Sequence, residues 1–316
     1  MQEHVLVTLP VSDEQRKKFE RVIEEAGHAV AFVTTDELRQ QDVDAASIIV
    51  GYVPVGLLLA SSSLAWMQTS TAGYDHLLAP GVLDKSTRLT NATGAYGQAV
   101  SEHMLAQLLC LMKKLHLYRD NQAQAIWADE GPVTSLVGAQ VLVLGAGDVG
   151  TAFARLTHAL GAHVTGMRRT PTTAQDPFEH MITPSDLFNV LPHADVVASI
   201  LPSSPQTRGL ADDKFFQAMK PGAFFLNAGR GDLVNTDALC KALESGRLAG
   251  AALAVTDPEP LPPNHPLWHE ERVLITPHIA GWWHLQATLD NVVHICLTNL
   301  RAYFAGEPLA NEVPRG

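Results

Sequence analysis

The 316-residue chain reads as an α/β protein of two doubly wound parallel-sheet domains. Three features predict this. Short β-rich runs alternate with helix-patterned segments through the first hundred residues, a long apolar helical stretch interrupts them, and a second alternating series follows. In the first series the strand-like runs are His4–Leu9, Ala29–Val33, Ser47–Val53, Ala65–Thr69 and Arg88–Asn91, and the charged amphipathic stretch Asp13–Ala26 is helical. The apolar helix spans Gln98–Tyr118. The second series runs through Val141–Leu144, Val164–Met167, Val196–Ile200, Ala223–Asn227, Ala249–Val255 and Val273–Thr276. A last helix covers about Leu285 to Phe304 and stops before Gly306 and Pro308. The Gly131–Pro132 break and the segment Asp257–Pro266 are the candidate linkers.

Composition narrows the possible functions. Hydrophobic residues make up 46% and charged residues 17%, which excludes a disordered or coiled-coil chain. A net charge of −11 without a basic run leaves no electrostatic footprint for nucleic acid, so a small-molecule partner is expected. Cys110, Cys240 and Cys296 are an odd number with no CxxC spacing, as in a protein of the reducing cytoplasm. The apolar runs 5–9 and 53–60 are too short for a signal-peptide core or a membrane span. Among the 14 histidines, the pair His265 and His269 is interrupted by Pro266, so no metal site is expected.

Two places carry readable chemistry. Gly145-Ala146-Gly147-Asp148-Val149-Gly150 lies between a strand and a helix, the context in which such glycines allow a tight turn, close approach of a pyrophosphate and close helix packing. After the following strand, where an NAD site carries an acid for the ribose hydroxyls, stand Arg168 and Arg169, whose guanidinium groups suit a 2′-phosphate. The reading is a dinucleotide site that prefers NADP to NAD. The second place gathers His278 at the end of a predicted strand, the strand-end Arg230, and Glu259 in a proline-rich segment.

These residues, with Thr71-Ala72-Gly73-Tyr74-Asp75-His76, Leu201-Pro202 and Thr207, Asn227–Gly231, Glu259–Pro262, His265–Trp268, Thr276–Gly281 and the ending Gly306–Leu309, resemble the D-isomer-specific 2-hydroxyacid dehydrogenases over essentially the whole length. The resemblance implies a Rossmann-type cofactor domain, residues 101–284, inserted into a flavodoxin-like substrate domain made of residues 1–100 and 285–316. It implies a homodimer formed through the cofactor domain, and a hydride passed reversibly between NAD(P)H and a 2-oxo acid of small to medium size, such as glyoxylate or hydroxypyruvate, giving a D-2-hydroxy acid. Arg230 would clamp the carboxylate and polarise the carbonyl. Backbone N–H groups at Ala72, Gly73 and Tyr74 would take the other carboxylate oxygen, and Tyr52 would help shape the substrate pocket. His278 would exchange the proton, with Glu259 orienting its ring and favouring its charged form. Val100, Gly145, Gly147, Asp148, Val149, Gly150, Arg168, Arg169, Pro202, Thr207, Ala228, Gly229 and Gly281 would face the cofactor. Ala254 stands where the family carries an aspartate at the nicotinamide end. A corepressor-like protein that binds NAD(H) with little or no turnover is the alternative, and the retained Arg230, Glu259 and His278 weigh against it. A phosphoglycerate dehydrogenase with a regulatory domain is disfavoured, because the chain ends soon after its last helix.

Overall fold

The computed structural model describes residues 2–59 and 63–315, so the last residue of the run 53–60 lies outside the described residues. It divides into two compact units, Met1–Tyr96 with Trp283–Gly316, and Gly97–Trp282.

The first unit is a five-stranded parallel sheet. Its elements are β1 (His4–Val7), α1 (Asp13–Glu25), β2 (Ala29–Phe32), α2 (Gln40–Asp44), β3 (Ile48–Gly51), α3 (Val55–Leu58), β4 (Trp66–Thr69) and β5 (Arg88–Thr90). The spatial order β2-β1-β3-β4-β5 is the flavodoxin-like one, which reverses between β1 and β3. Ser12 opens α1 with a reciprocal cap: its hydroxyl accepts from the Gln15 N–H, and its own N–H donates to Gln15 Oε1. Phe19, Val22 and Ile23 then face the core. Leu6, Ile49, Met67 and Leu89 from four neighbouring strands form one apolar cluster beneath the sheet.

Chain end and sheet are joined by a buried polar network. Gln68 Oε1 accepts from Thr90 Oγ1 (2.7 Å) and Asn299 Nδ2 (2.7 Å), and Trp66 Nε1 donates to Thr90 Oγ1 (2.9 Å). The Asn299 amide also exchanges two bonds with the backbone of Ala310. Satisfied in this way, these groups fix the position of the terminal helix.

The second unit contains α4 (Gly97–Met112), α5 (Leu115–Ala123), β6 (Gln140–Leu144), α6 (Asp148–Ala159), β7 (His163–Met167), β8 (His180–Ile182), α7 (Leu187–Val190), β9 (Val196–Ser199), α8 (Asp213–Ala218), β10 (Ala223–Asn227), α9 (Thr236–Glu244), β11 (Leu248–Leu253) and β12 (Val273–Ile275). Its seven strands are all parallel, in the order β12-β11-β10-β9-β6-β7-β8, so the sheet reverses direction of growth between β6 and β9. The twenty-residue α10 (Gln286–Ala305) belongs to the first unit, where Asp290 Oδ1 accepts from Gln15 Nε2 of α1 (2.8 Å); it ends at Gly306 with φ +71°.

Three details differ from the sequence expectation. The single helix expected over 98–118 is two, because Lys114 turns left-handed (φ 57°) and the Thr134 N–H takes the Met112 carbonyl (3.2 Å), ending α4 there. α4 begins at Gly97 and lies wholly in the second unit, whereas the sequence placed residues up to 100 in the first. β8 went unrecognised: it is three residues long and pairs with β7 alone.

Candidate active site

The glycine-rich turn sits where the seven-stranded sheet reverses, between the ends of β6 and β9. Each glycine has a different steric reason. Gly145 has φ +102°, and a Cβ on it would lie 2.9 Å from the Ile200 carbonyl oxygen. A Cβ on Gly150 would lie 2.1 Å from the Gly145 carbonyl oxygen, so only glycine lets α6 close onto the turn. Gly147, by contrast, is the exposed N-cap of α6, and a Cβ there meets nothing within 4 Å. No side chain caps that N-terminus, and the glycine at it is the least crowded of the three. That combination fits the pyrophosphate of a dinucleotide. Asp148 and Val149 form the first turn with Gly150, and the Asp148 carboxylate packs against the backbone of Gly97, where a Cβ would meet it at 2.7 Å. Val100 is buried on α4.

Arg168 follows β7, and its Nε donates to the Ala146 carbonyl in the glycine turn (2.7 Å). The guanidinium is thus anchored by one edge, and its two terminal nitrogens have no partner among the described residues. Arg169 is exposed beside it. Across the switch point, Thr207 closes a loop on Pro202: its hydroxyl donates to the Pro202 carbonyl (2.7 Å) and accepts from the Ser204 N–H (2.9 Å). The Ala228 N–H extends the ladder to Ser199 (3.0 Å), and Gly229 lies so close to Leu201 that a Cβ would be 2.4 Å from its carbonyl oxygen.

Strand register brings Arg230, Glu259 and His278 toward one end of the sheet. Asn227 of β10 pairs with Leu253 of β11, and Leu253 pairs with Ile275 of β12, so the three strands end side by side. Arg230, Glu259 and His278 lie a few residues beyond those ends. His278 Nδ1 is 2.9 Å from Glu259 Oε2, while Glu259 Oε1 accepts the Thr256 N–H (3.1 Å). The carboxylate is therefore held at both oxygens, and the ring is oriented with Nε2 left over for other chemistry. His278 itself is left-handed (φ 52°), its N–H directed at the carbonyls of Thr276 (2.9 Å) and Ala254 (3.1 Å). Arg230 is half-buried, with one terminal nitrogen on the Gly229 carbonyl (2.9 Å). Gly231 must be glycine, since a Cβ there would lie 1.9 Å from the Thr256 carbonyl oxygen. Arg230, Glu259 and His278 line one cavity of about 220 Å³ with Gly231, Asp232 and Val255–Asp257. Gly281 lies in the turn that follows His278, half-buried.

In the first unit, Tyr52 follows β3 at that sheet's own switch point, and Ala72, Gly73 and Tyr74 follow the adjacent β4. The Tyr52 ring is half-exposed, 6.5 Å from that of His76. Thr71 shapes the second loop, its hydroxyl donating to the Gly73 carbonyl (2.6 Å). The N–H groups of Ala72, Gly73 and Tyr74 donate to no acceptor among the described residues. Three adjacent free donors suit a carboxylate oxygen.

A family model described as D-isomer specific 2-hydroxyacid dehydrogenase, NAD binding domain, matches residues 105–280. The chain belongs to the D-isomer specific 2-hydroxyacid dehydrogenases. It is 30% identical to the human glyoxylate reductase/hydroxypyruvate reductase, over 80% of this chain and 78% of that one. A family protein from Aeromonas salmonicida superposes with a TM-score of 0.85 at 30% identity, covering both chains fully. A D-isomer specific 2-hydroxyacid dehydrogenase from Xanthobacter autotrophicus Py2, solved with NADPH and MES, superposes at 0.80 with 27% identity, covering 100% of this chain and 99% of that one. As a member of this family, the chain is an NAD(P)-dependent oxidoreductase that interconverts 2-oxo acids and D-2-hydroxy acids. Among the described residues, no helix of this dehydrogenase is long and apolar enough to cross a membrane, and no cluster of His, Cys, Asp or Glu could hold a metal ion.

Sequence reasoning missed two supports of this dehydrogenase's site. Thr276 Oγ1 is 3.0 Å from His103 Nε2 and accepts from Gln107 Nε2 (3.4 Å), both on α4. Burial holds the His103 pKa below the ordinary histidine value. The second support is Asp232, beside Arg230. In the sequence, His103 stands within the helix-patterned run 98–118 and Asp232 two residues after Arg230, and nothing there marks their partners.

Proposed function

We propose that this dehydrogenase reduces small 2-oxo acids with Arg230, Glu259 and His278 as its reactive group, and that it prefers NADPH. The observation that carries the reading is the cavity in which these three side chains meet, with the imidazole held by Glu259 at 2.9 Å. Arg230 binds the substrate carboxylate and draws charge toward the carbonyl oxygen. His278 gives a proton from Nε2 to that oxygen during reduction and recovers it during oxidation, while Glu259 keeps Nδ1 occupied and stabilises the charged ring. The unpaired N–H groups of Ala72, Gly73 and Tyr74 are proposed carboxylate donors, with Tyr52 beside them as a pocket wall. The turn Gly145–Gly150, with Pro202, Thr207, Ala228, Gly229 and Gly281 around it, holds the dinucleotide, which when bound supplies the hydride.

NADPH preference is supported by Arg168, fixed at Nε by the Ala146 carbonyl, with Arg169 adjoining. The NADPH complex of the Xanthobacter relative is in keeping with it. Glyoxylate and hydroxypyruvate are the first substrates to try, given the human relative's name. A homodimer through the cofactor-binding unit is supported by exposed apolar residues gathered there, Ile126, Trp127, Val133 and Val137. The net charge of −11 supports a small-molecule partner over nucleic acid, and three free thiols support a reducing cytoplasm.

The test is a panel of glyoxylate, hydroxypyruvate, pyruvate and larger 2-oxo acids with NADPH and NADH, with chiral analysis of the product. His278→Ala should slow turnover by about 10² to 10⁴-fold. Wild-type rates in that variant, or an L-product, would overturn the assignment.

A further inference from the structure

We propose that Asp232 is a positioning residue that fastens the cofactor-side loop 202–207 to the loop bearing Arg230. One oxygen does the fastening. Asp232 Oδ2 accepts from the Ser203 hydroxyl at 2.5 Å and from Arg208 Nε at 3.2 Å, and the same Arg208 nitrogen is 3.1 Å from Ser203 Oγ. Two side chains, Ser203 and Arg208, thus converge on a single carboxylate oxygen of the neighbouring loop.

Backbone bonds flank the seam, the Ala228 N–H donating to the Ser199 carbonyl (3.0 Å) before it and a second pair lying beyond it. The Gly209 N–H donates to the Asp232 carbonyl (2.8 Å) and the Ala211 N–H to that of Leu233 (3.0 Å). On the other side, Leu201 and Gly229 touch without a hydrogen bond between them. Between those two anchorages, the side chains of Ser203 and Arg208 are what hold the 202–207 loop to the arginine loop, and both reach for Asp232. The arrangement is also charge-dependent. Asp232 Oδ1 is buried and has no partner among the described residues, so Arg208 is the cation paired with this carboxylate. Asp232 lines the same cavity as Arg230, Glu259 and His278, within two residues of the proposed carboxylate clamp.

Displacing the latch should therefore loosen both loops at once: the one that closes on the cofactor and the one that presents Arg230. This rests on the proposed role of Arg230, and the two ideas fail differently. If no 2-oxo acid is turned over by wild-type enzyme, or if Arg230→Gln leaves KM unchanged, the clamp reading fails. The latch fails on cofactor affinity, which is measured with no 2-oxo acid present.

The experiment compares Asp232→Ala, Asp232→Asn, Ser203→Ala and the double variant Ser203→Ala/Asp232→Ala, using fluorescence titration with NADPH and steady-state kinetics on the best 2-oxo acid. Asp232→Ala should raise both the NADPH Kd and the 2-oxo acid KM about tenfold, with a smaller change in kcat. Asp232→Asn keeps an acceptor for Ser203 and should recover most of the loss. The double variant should be no worse than Asp232→Ala alone, because both substitutions remove one shared interaction. A folded Asp232→Ala enzyme with unchanged Kd and KM, altered only in melting temperature, overturns the proposal, as does additivity in the double variant. Should Asp232→Ala not fold, Ser203→Ala and Arg208→Ala each cut one tie while leaving the carboxylate. Unchanged Kd and KM in both would be equally decisive against the latch.

Discussion

Gly147 and Gly150 should respond to the same substitution in opposite ways. Gly147→Ala adds a methyl group where nothing lies within 4 Å, at a backbone conformation (φ −89°, ψ −151°) already in the extended region. Losing glycine at the N-cap costs about 0.5–1 kcal/mol, and restricting the unfolded chain returns about 0.4–1 kcal/mol. Stability should be nearly unchanged. The same methyl group stands beside the uncapped N–H groups of α6, where a pyrophosphate must approach, so NADPH affinity should fall at least about tenfold, or about 1.4 kcal/mol. Gly150→Ala instead drives a methyl group to 2.1 Å from the Gly145 carbonyl oxygen and 3.1 Å from Val143 Cγ1. That overlap requires α6 to retreat by about an ångström from a closely packed turn, for which about 1–3 kcal/mol is typical of overpacking. With about 2–4 °C per kcal/mol, the melting temperature should drop by about 2–12 °C. Thermal denaturation without cofactor and fluorescence titration with NADPH separate the two effects. A Gly147→Ala protein that binds NADPH like wild type would refute the placement of the phosphates at this turn.

Other substitutions probe the rest of the molecule. Arg168→Ala should weaken NADPH by about ten- to a hundredfold, from a charged hydrogen bond of about 1.5–3 kcal/mol, and NADH far less; equal losses in the two titrations would remove the 2′-phosphate role. Because burial depresses the His103 pKa, the unfolded chain takes up this proton first as pH falls, so stability should decline from about pH 6.5 downward until the folded value is passed. His103→Gln should flatten that part of the pH–stability curve in urea titrations. Asn299→Ala cuts the bonds to Gln68 and Ala310 and should lower unfolding stability by about 2–4 kcal/mol, read by the same method. Ala254 is only 2% exposed, so Ala254→Asp should destabilise the free enzyme by about 2 kcal/mol or more. If the added carboxylate meets the nicotinamide end, NADPH should raise this variant's melting temperature by more than it raises that of wild type.

What the sequence disclosed and what it hid divide along physical lines. Strands such as Val196–Ser199 and Ala223–Asn227 were visible because buried parallel strands are continuous apolar runs ending in glycine, proline or polar residues. The turn at Gly145 was visible because its glycine spacing is confined to six residues, although the carbonyl that crowds Gly145 belongs to Ile200. The break at Lys114 was invisible, because apolar spacing continues across it and the group that ends α4 is the N–H of Thr134, twenty residues on. His103 and Asp232 were missed for the same reason. Each is defined by partners that only the folded chain brings near, Thr276 for one, Ser203 and Arg208 for the other. Glu259 and His278 were found as motif residues, but their 2.9 Å contact depends on the register of β11 against β12.

That register also explains how a strained residue can be held in place beside Glu259. A left-handed histidine is uncommon, and a sparsely populated backbone conformation costs about 1–3 kcal/mol unless its surroundings determine it. Here they do. The His278 N–H is shared between two carbonyls; one of these belongs to Ala254, whose own N–H is bonded to Asn227 at the end of β10 (2.9 Å). The other belongs to Thr276, whose hydroxyl is tied to α4 through His103 and Gln107. The segment from Thr276 to His278 is therefore gripped by the sheet on one side and by a helix on the other. The same Asn227 donates through its side chain to the Arg230 carbonyl (2.8 Å), so the loop of the arginine and the backbone of the histidine are set by one residue. Rigid placement of two groups proposed to meet the same small acid needs no contact between them, only a shared anchor. Asn227 and Ala254, neither of which needs to touch substrate, supply it.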